Sequence, residues 1–257
     1  MKTALALLKT DLRRLVRSKS FYVILILSVV FPIMMFTSMI ENVSDAASMI
    51  GPLVKSDNPM SSMSGIGLLN IMSGIFMMIF IGKEYQTGNI KHIITVHSDK
   101  KEYVISKGII GMIVNACLIV LYVVAIAVVG AIAGMPLVLP SVGGFILFLI
   151  EKFITSMAFT MLFVFVAVIC RRAYAFGIIG TFVLGTGAIS MVLGLLATTC
   201  NMAIFEWINR LTIFGSGSYA TLTANGLNFL NIVLVSAVWV IVYGFLGKIV
   251  LDKRDVI

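Results

Sequence analysis

Charge is what this sequence has least of: 12% of its 257 residues are Asp, Glu, Lys or Arg, where soluble domains carry about a quarter. Hydrophobic residues make up 60% and the mean hydropathy is +1.10, a balance suited to lipid rather than water. The three cysteines, Cys117, Cys170 and Cys200, are odd in number and scattered. That excludes a disulfide framework or a zinc spacing, and leaves buried inert thiols. The two histidines, His92 and His97, miss the three- or four-residue spacing that shares a helix face, so no metal site is expected. Gly-x-x-x-x-Gly-Lys, His-Glu-x-x-His and Gly-x-Ser-x-Gly are all missing, which argues against a phosphate loop, a zinc protease and a nucleophile elbow. The chain is thus expected to hold no catalytic site and to bind no cofactor of its own. Its apolar stretches are nearly free of ionisable residues, whereas proton relays and ion-coupled carriers keep such groups at membrane depth. Asn115, Ser156, Thr160 and Ser190 are the polar residues left there.

What the sequence does have is long apolar runs. Six stretches, 21–40, 63–81, 108–133, 153–170, 176–198 and 229–250, each approach the roughly 20 residues that cross a bilayer as a helix. The expected fold is an all-α integral membrane protein with six transmembrane helices, a single domain over 1–257. The first run is longer than the apolar core of a secretory signal, about 7–15 residues, so it is expected to span and stay. Before the fourth run the apolar text resumes at Gly143 and is interrupted by Glu151 and Lys152. Glu151 and Arg171 would stand about 30 Å apart on one helix, one at each membrane face, which leaves 142–150 as a re-entrant or interfacial piece.

Orientation follows from the cations. With the N-terminus inside, the inner segments hold sixteen of the nineteen Lys and Arg residues, and the outer ones hold Lys55, Lys152 and Arg210. This positive-inside bias places both termini in the cytoplasm. It also explains the net charge of +8 as a topology signal, without nucleic acid.

Residues 1–20 read as a basic amphipathic helix: Leu5, Leu8, Leu12, Leu15 and Val16 on one face, Lys2, Lys9, Arg13, Arg14 and Arg17 on the other, with Leu7 the exception. Such a helix lies in the inner interface, its cations at anionic head groups. Pro32 inside the first run removes a helix hydrogen bond, which usually kinks a span. Residues 200–228 are too apolar for a free loop and too broken for a span, and are expected to form short re-entrant or interfacial helices, with Trp207 at the interface. Gly130 and Gly134 form one small-xxx-small pair, and Asn42-Val43-Ser44 is a chance sequon.

The most informative segment joins the second and third runs. Gly88 can stop the second helix. Ile90, Ile93 and Ile94 share a face of a short helix over 88–97, and Asp99 with Glu102 reads as a capping box for the next helix. Physics alone leaves two readings open, a docking knob for a cytoplasmic partner or a small helix resting on lipid.

The order of residues here resembles the inner loop of the ABC-2 type permeases: Glu84, Gly88, Ile90 and Lys91, Ile93 and Ile94, Ser98 with Lys100 and Lys101, then Tyr103 and Lys107. The basic helix before the first span is similar to the family's connecting helix, and Leu251-Asp252-Lys253-Arg254-Asp255-Val256 to its terminal tail. His97 departs from the resemblance, since many relatives have Pro or Gly before the Ser step. The resemblance implies a permease subunit of a bacterial ABC exporter, in the cytoplasmic membrane, paired with a second copy. Two ATPase subunits would carry the ATP and Mg. It implies that Glu84, Gly88, Ile90, Lys91, Ile93 and Ile94 form the coupling helix, with Glu84 and Gly88 setting its angle, and that Arg13, Arg14 and Arg17 of the connecting helix add a second contact.

Nine of the sixteen methionines fall between Met34 and Met78. Methionine adapts to varied apolar partners, so Met35, Met39, Met72 and Met77 are candidates for a path taken by amphipathic peptides or lipophilic antimicrobial compounds. Ordinary packing explains the same residues. A non-transporting scaffold or sensor bound to an ATPase, and a gradient-driven carrier, are the alternative functions.

Overall fold

The structure is a computed structural model. It describes residues 2–41, 65–88, 90, 100–132, 141–171, 173–200, 203–218, 220 and 226–253. Every regular element among them is a helix: α1 Lys2–Arg17, α2 Lys19–Glu41, α3 Gly65–Gln86, α4 Lys100–Ile132, α5 Val142–Cys170, α6 Tyr174–Gly185, α7 Ala188–Cys200, α8 Ala203–Leu211, α9 Ile213–Ser218 and α10 Gly226–Lys253. Among the described residues four helical segments are long and apolar enough to cross a membrane: Lys100–Val129, Val142–Cys170, Tyr174–Cys200 and Gly226–Lys253. The bent pair α1–α2, which turns by 63°, makes a fifth if counted as one span.

Helix α5 is the centre of the bundle, packed against α3, α4, α6, α9 and α10. Here the structure corrects the sequence reading. Residues 142–150 are not a separate re-entrant piece but the first turns of α5, opened by Ser141, whose Oγ accepts from the Gly144 N–H. An N-capped apolar stretch with its glycines in the first turn has nothing to stop it. As a result Glu151 and Lys152 belong to one continuous helix and are buried inside the bundle.

Close packing around α5 uses small residues as notches, the usual way for apolar helices to approach. A Cβ on Gly111 would come 2.3 Å from Thr160 Cγ2, and one on Gly74 3.0 Å from the Phe163 ring. Methionine fills further notches: Met161 Sδ lies against Gly108 and Met78 Sδ against Gly177.

The fifth apolar run, expected as one helix, is broken into α6 and α7 at Thr186–Gly187, where Gly187 has φ +72. The Phe214 ring of α9 occupies the notch this makes. Short helices α8 and α9 stand where they were expected, before the last span. Pro32 does not end α2, which runs through it; the bend comes instead at Ser18. The sequon, Asp99 of the capping box and Gly134 lie outside the described residues.

Helix α3 stops at Gln86, and Gly88 follows in the left-handed region at φ +71, a conformation glycine adopts without steric cost. Gly88 and Gly187 share this backbone but differ in surroundings, because nothing lies within 4 Å of a Cβ on Gly88 while one on Gly187 would meet the Phe214 ring at 2.5 Å. Gly88→Ala is expected to cost about 1 kcal/mol. Gly187→Ala is expected to cost more, and thermal unfolding of the purified variants in mild detergent measures the difference.

Candidate functional site

Three helices each contribute polar side chains at helical spacing to one buried cluster. Asp11 and Arg14 lie three apart on α1, Phe80 and Glu84 four apart on α3, and Tyr103, Ser106 and Lys107 within one turn of α4, so each set shares a face. Lys107 is the hub. Its Nζ donates to Asp11 Oδ1 at 2.7 Å and to Glu84 Oε1 at 2.5 Å. Glu84 also accepts from the Arg14 guanidinium and, through Oε2, from the Tyr103 hydroxyl at 2.6 Å. Asp11 Oδ2 accepts from Ser106 Oγ at 2.8 Å. Arg14 completes the ring by donating to the Phe80 carbonyl at 2.8 Å, its guanidinium 4.5 Å from the centre of the Phe80 ring.

Burial makes this cluster consequential. The Lys107 and Glu84 side chains have no exposure, and Asp11 has 4%. Two carboxylates meet two cations, so the formal charge is zero. A charge withdrawn from water is tolerated when it is paired and its remaining hydrogen-bonding positions are filled, and here the neighbouring hydroxyls and a backbone carbonyl do the filling. The cluster joins α1 to the two ends of the chain that flank residues 87–99: the last turn of α3 and the first turns of α4.

The expected coupling residues divide. Glu84 is in the cluster, Gly88 ends α3, and Ile90 is turned into the core, 2% exposed. Lys91, Ile93 and Ile94 lie outside the described residues. Of the connecting-helix arginines, Arg13 and Arg17 are exposed, while Arg14 bends inward to Glu84 and Phe80. The buried face of α1 is also rotated from the one read in the sequence. Leu7, the supposed exception, is 3% exposed and Val16, assigned to the apolar face, is 58% exposed. The inward stripe is Leu7, Asp11 and Leu15, four apart, because α1 packs on α4. Met77 is fully buried beside Gly111 and Met72 is half-buried; the side chains of Met35 and Met39 are outside the description.

Sequence reasoning missed Asp11. It is the one acid in a basic helix, four residues from both Leu7 and Leu15, and that register was the available signal. Lys107 was read as one of many inner-side cations, and nothing local marks it as buried.

A chain this apolar, whose regular elements are all helices in the described part and which holds four to five helical segments fit to cross a bilayer, is an integral membrane protein. It belongs to the ABC-2 transporter family: the family model described as "ABC-2 family transporter protein" matches residues 7–188, a stretch that contains the whole buried cluster. Neither the curated proteins nor the solved structures include a match to the chain. Family membership implies an ABC ATPase as partner.

Removing one member of a buried ion cluster leaves an uncompensated charge, at about 3–5 kcal/mol. Lys107→Met should therefore destabilise the purified protein by that amount in thermal unfolding. Adding Asp11→Asn should recover part of the loss, since Glu84 and Arg14 then remain as a balanced pair.

Proposed function

We propose that this chain is the permease subunit of an ATP-driven exporter in the bacterial cytoplasmic membrane, with six spans and both termini inside. Helix α3 supplies the second span, α6 and α7 together the fifth, and α1 is the connecting helix. Two copies pair, and each seats its 88–97 segment on a separate ATPase subunit that binds ATP and Mg.

The observation that carries this reading is the buried cluster around Lys107. A docking segment transmits force when its two ends are held rigidly to the spans. Asp11, Glu84 and Lys107 tie α1, α3 and α4 into one body at the ends of that segment. A closing ATPase that pushes on residues 88–97 would then tilt α3 and α4 together and carry α1 with them. Ile90, buried in the core, anchors the segment, and Lys91, Ile93 and Ile94 are the residues proposed to meet the ATPase. Arg13 and Arg17, exposed on α1, supply the second contact.

Amphipathic peptides or lipophilic antimicrobial compounds are the proposed cargo. The support is the apolar character of the exposed helix faces, which would bring such compounds from the bilayer to the protein, and the adaptable methionines of α2 and α3.

Affinity purification of the tagged chain from its native host in mild detergent tests the partnership. An ATPase subunit is expected to co-elute with the chain and to be lost with Ile93→Asp. An eluate without ATPase overturns the proposal in favour of a gradient-driven carrier. ATP-dependent efflux from vesicles containing the complex separates an exporter from a scaffold, which would bind the ATPase and move nothing.

A further inference from the structure

Three acids are buried among the described residues: Asp11, Glu84 and Glu151. The first two have their carboxylates filled by Lys107, Arg14, Tyr103 and Ser106. Glu151 differs. It is 2% exposed, yet its Oε2 is buried with no hydrogen-bond partner. An unpartnered buried acceptor is costly and uncommon in folded proteins, and an ionisable group inside a membrane bundle marks a functional site by default.

The neighbour that ought to neutralise Glu151 is engaged elsewhere. Lys152 points its ammonium at the Gly217 carbonyl of α9, 2.6 Å away, with the Phe148 ring 5.3 Å from its Nζ. Adjacent residues on a helix do not face one another, so the hydrogen bond of this cation goes to α9, while the carboxylate feels its charge without being bonded to it. Thr155 stands one turn along from Glu151, and there α9 comes so close that a Cβ on Gly217 would lie 2.8 Å from Thr155 Cγ2. Helix α9 thus roofs this part of α5, with α8 beside it packed on α7.

That roof is held by packing and by polar contacts: Ile213, Gly215, Ser216 and Gly217 of α9 are buried, and the Phe214 ring fills the Gly187 notch. Besides Lys152, its fastenings include one hydrogen bond from α7, Ser190 Oγ to Asn209 Oδ1 at 2.5 Å, and one from α10, Trp239 Nε1 to the Leu211 carbonyl at 2.8 Å. Glu151 also lies far from the ionic cluster. Cys170, at the other end of α5, meets Met78 of α3 across Gly177, near the end of α3 that carries Glu84. Glu151 and Cys170 are nineteen helical steps apart, about 28 Å.

We propose that Glu151 is the contact for a positively charged group, an ammonium or guanidinium, on the transported compound, reached when α9 lifts from α5. The inference rests on the exporter reading and narrows its cargo to amphiphiles that carry a cation. A carboxylate with an empty acceptor site gains a charge-assisted hydrogen bond from such a group. Lys152, released from Gly217 by the same movement, restores the roof once the cation has left.

The test uses the full-length permease alone in lipid nanodiscs, so its result is independent of ATPase co-purification. The probe is decylguanidinium, with decylurea as the neutral comparator, both measured by equilibrium dialysis. The wild-type chain is expected to bind the cation saturably and at least tenfold more tightly than Glu151→Gln does, with no such difference for the neutral compound. A second measurement needs no variant. Dicyclohexylcarbodiimide labelling of Glu151, read by mass spectrometry, should slow severalfold with saturating cation and not with the neutral compound. Equal cation binding by the two proteins overturns the site. So does labelling that the cation leaves unchanged, including labelling that varies with pH alone, which would make Glu151 a proton site only.

Discussion

The structure depends on one constraint: a lysine ammonium, that of Lys107, is held where no water reaches it. Its position on α4 decides what α1 and α3 can do, because each must bring a carboxylate to the same point. Asp11 comes from a helix that would otherwise float at the interface, and Glu84 from the last turn of a mostly apolar helix. The three helices are therefore locked in rotation as well as in distance. Sliding α1 by one residue would move Asp11 to another face and leave a buried cation half-paired. Apolar packing alone is tolerant of such slips, since one aliphatic side chain substitutes for another at small cost. Charge burial is not.

A second constraint acts through α5. As the helix most enclosed by others, it sets the lateral spacing of α3, α4 and α10, and glycines with methionine or threonine partners bring the axes close. Midway along, Asn115 of α4 donates to Thr160 Oγ1 at 2.5 Å and to the Ser156 carbonyl at 3.3 Å, a polar rivet between two apolar helices. The same α5 carries Glu151 and Lys152 toward its other end, under α9. The bundle thus has two polar centres at opposite ends, one saturated and one not. They are linked by helices that cannot bend sharply without breaking their own hydrogen bonds. Movement at one end has a rigid route to the other.

Much of this was legible from residue order, for identifiable reasons. The apolar runs, the stop at Gly88 and the short helices before the last span rest on local properties: hydropathy over a span's length, the steric freedom of glycine, and a run too broken to cross. The errors also have local causes. Residues 142–150 were set apart from the following helix because charge usually ends a span, and nothing within them reveals that α9 and α10 would cover that part of α5. The face of α1 was drawn from hydropathy alone, so Leu7 looked like an exception and Asp11 was passed over. The break at Gly187 was missed because glycines within an apolar run, here Gly177, Gly180, Gly185 and Gly187, are ordinary in spanning helices.

What the sequence determined by itself was the medium and the secondary structure. A chain with so few charges and such long apolar runs must satisfy its backbone internally, and the helix is the local way to do that. Residue order was also enough to suggest the ABC-2 resemblance, through the spacing from Glu84 to Lys107. The tertiary structure alone decided which charges are buried, and with whom. Asp11 and Lys107 stand 96 residues apart, and Lys152 and Gly217 65 apart. No local property distinguishes these cations from the many that simply face water or lipid head groups. Their roles arise when distant helices meet and remove the solvent between them, which turns a screened surface charge into one that must be paired.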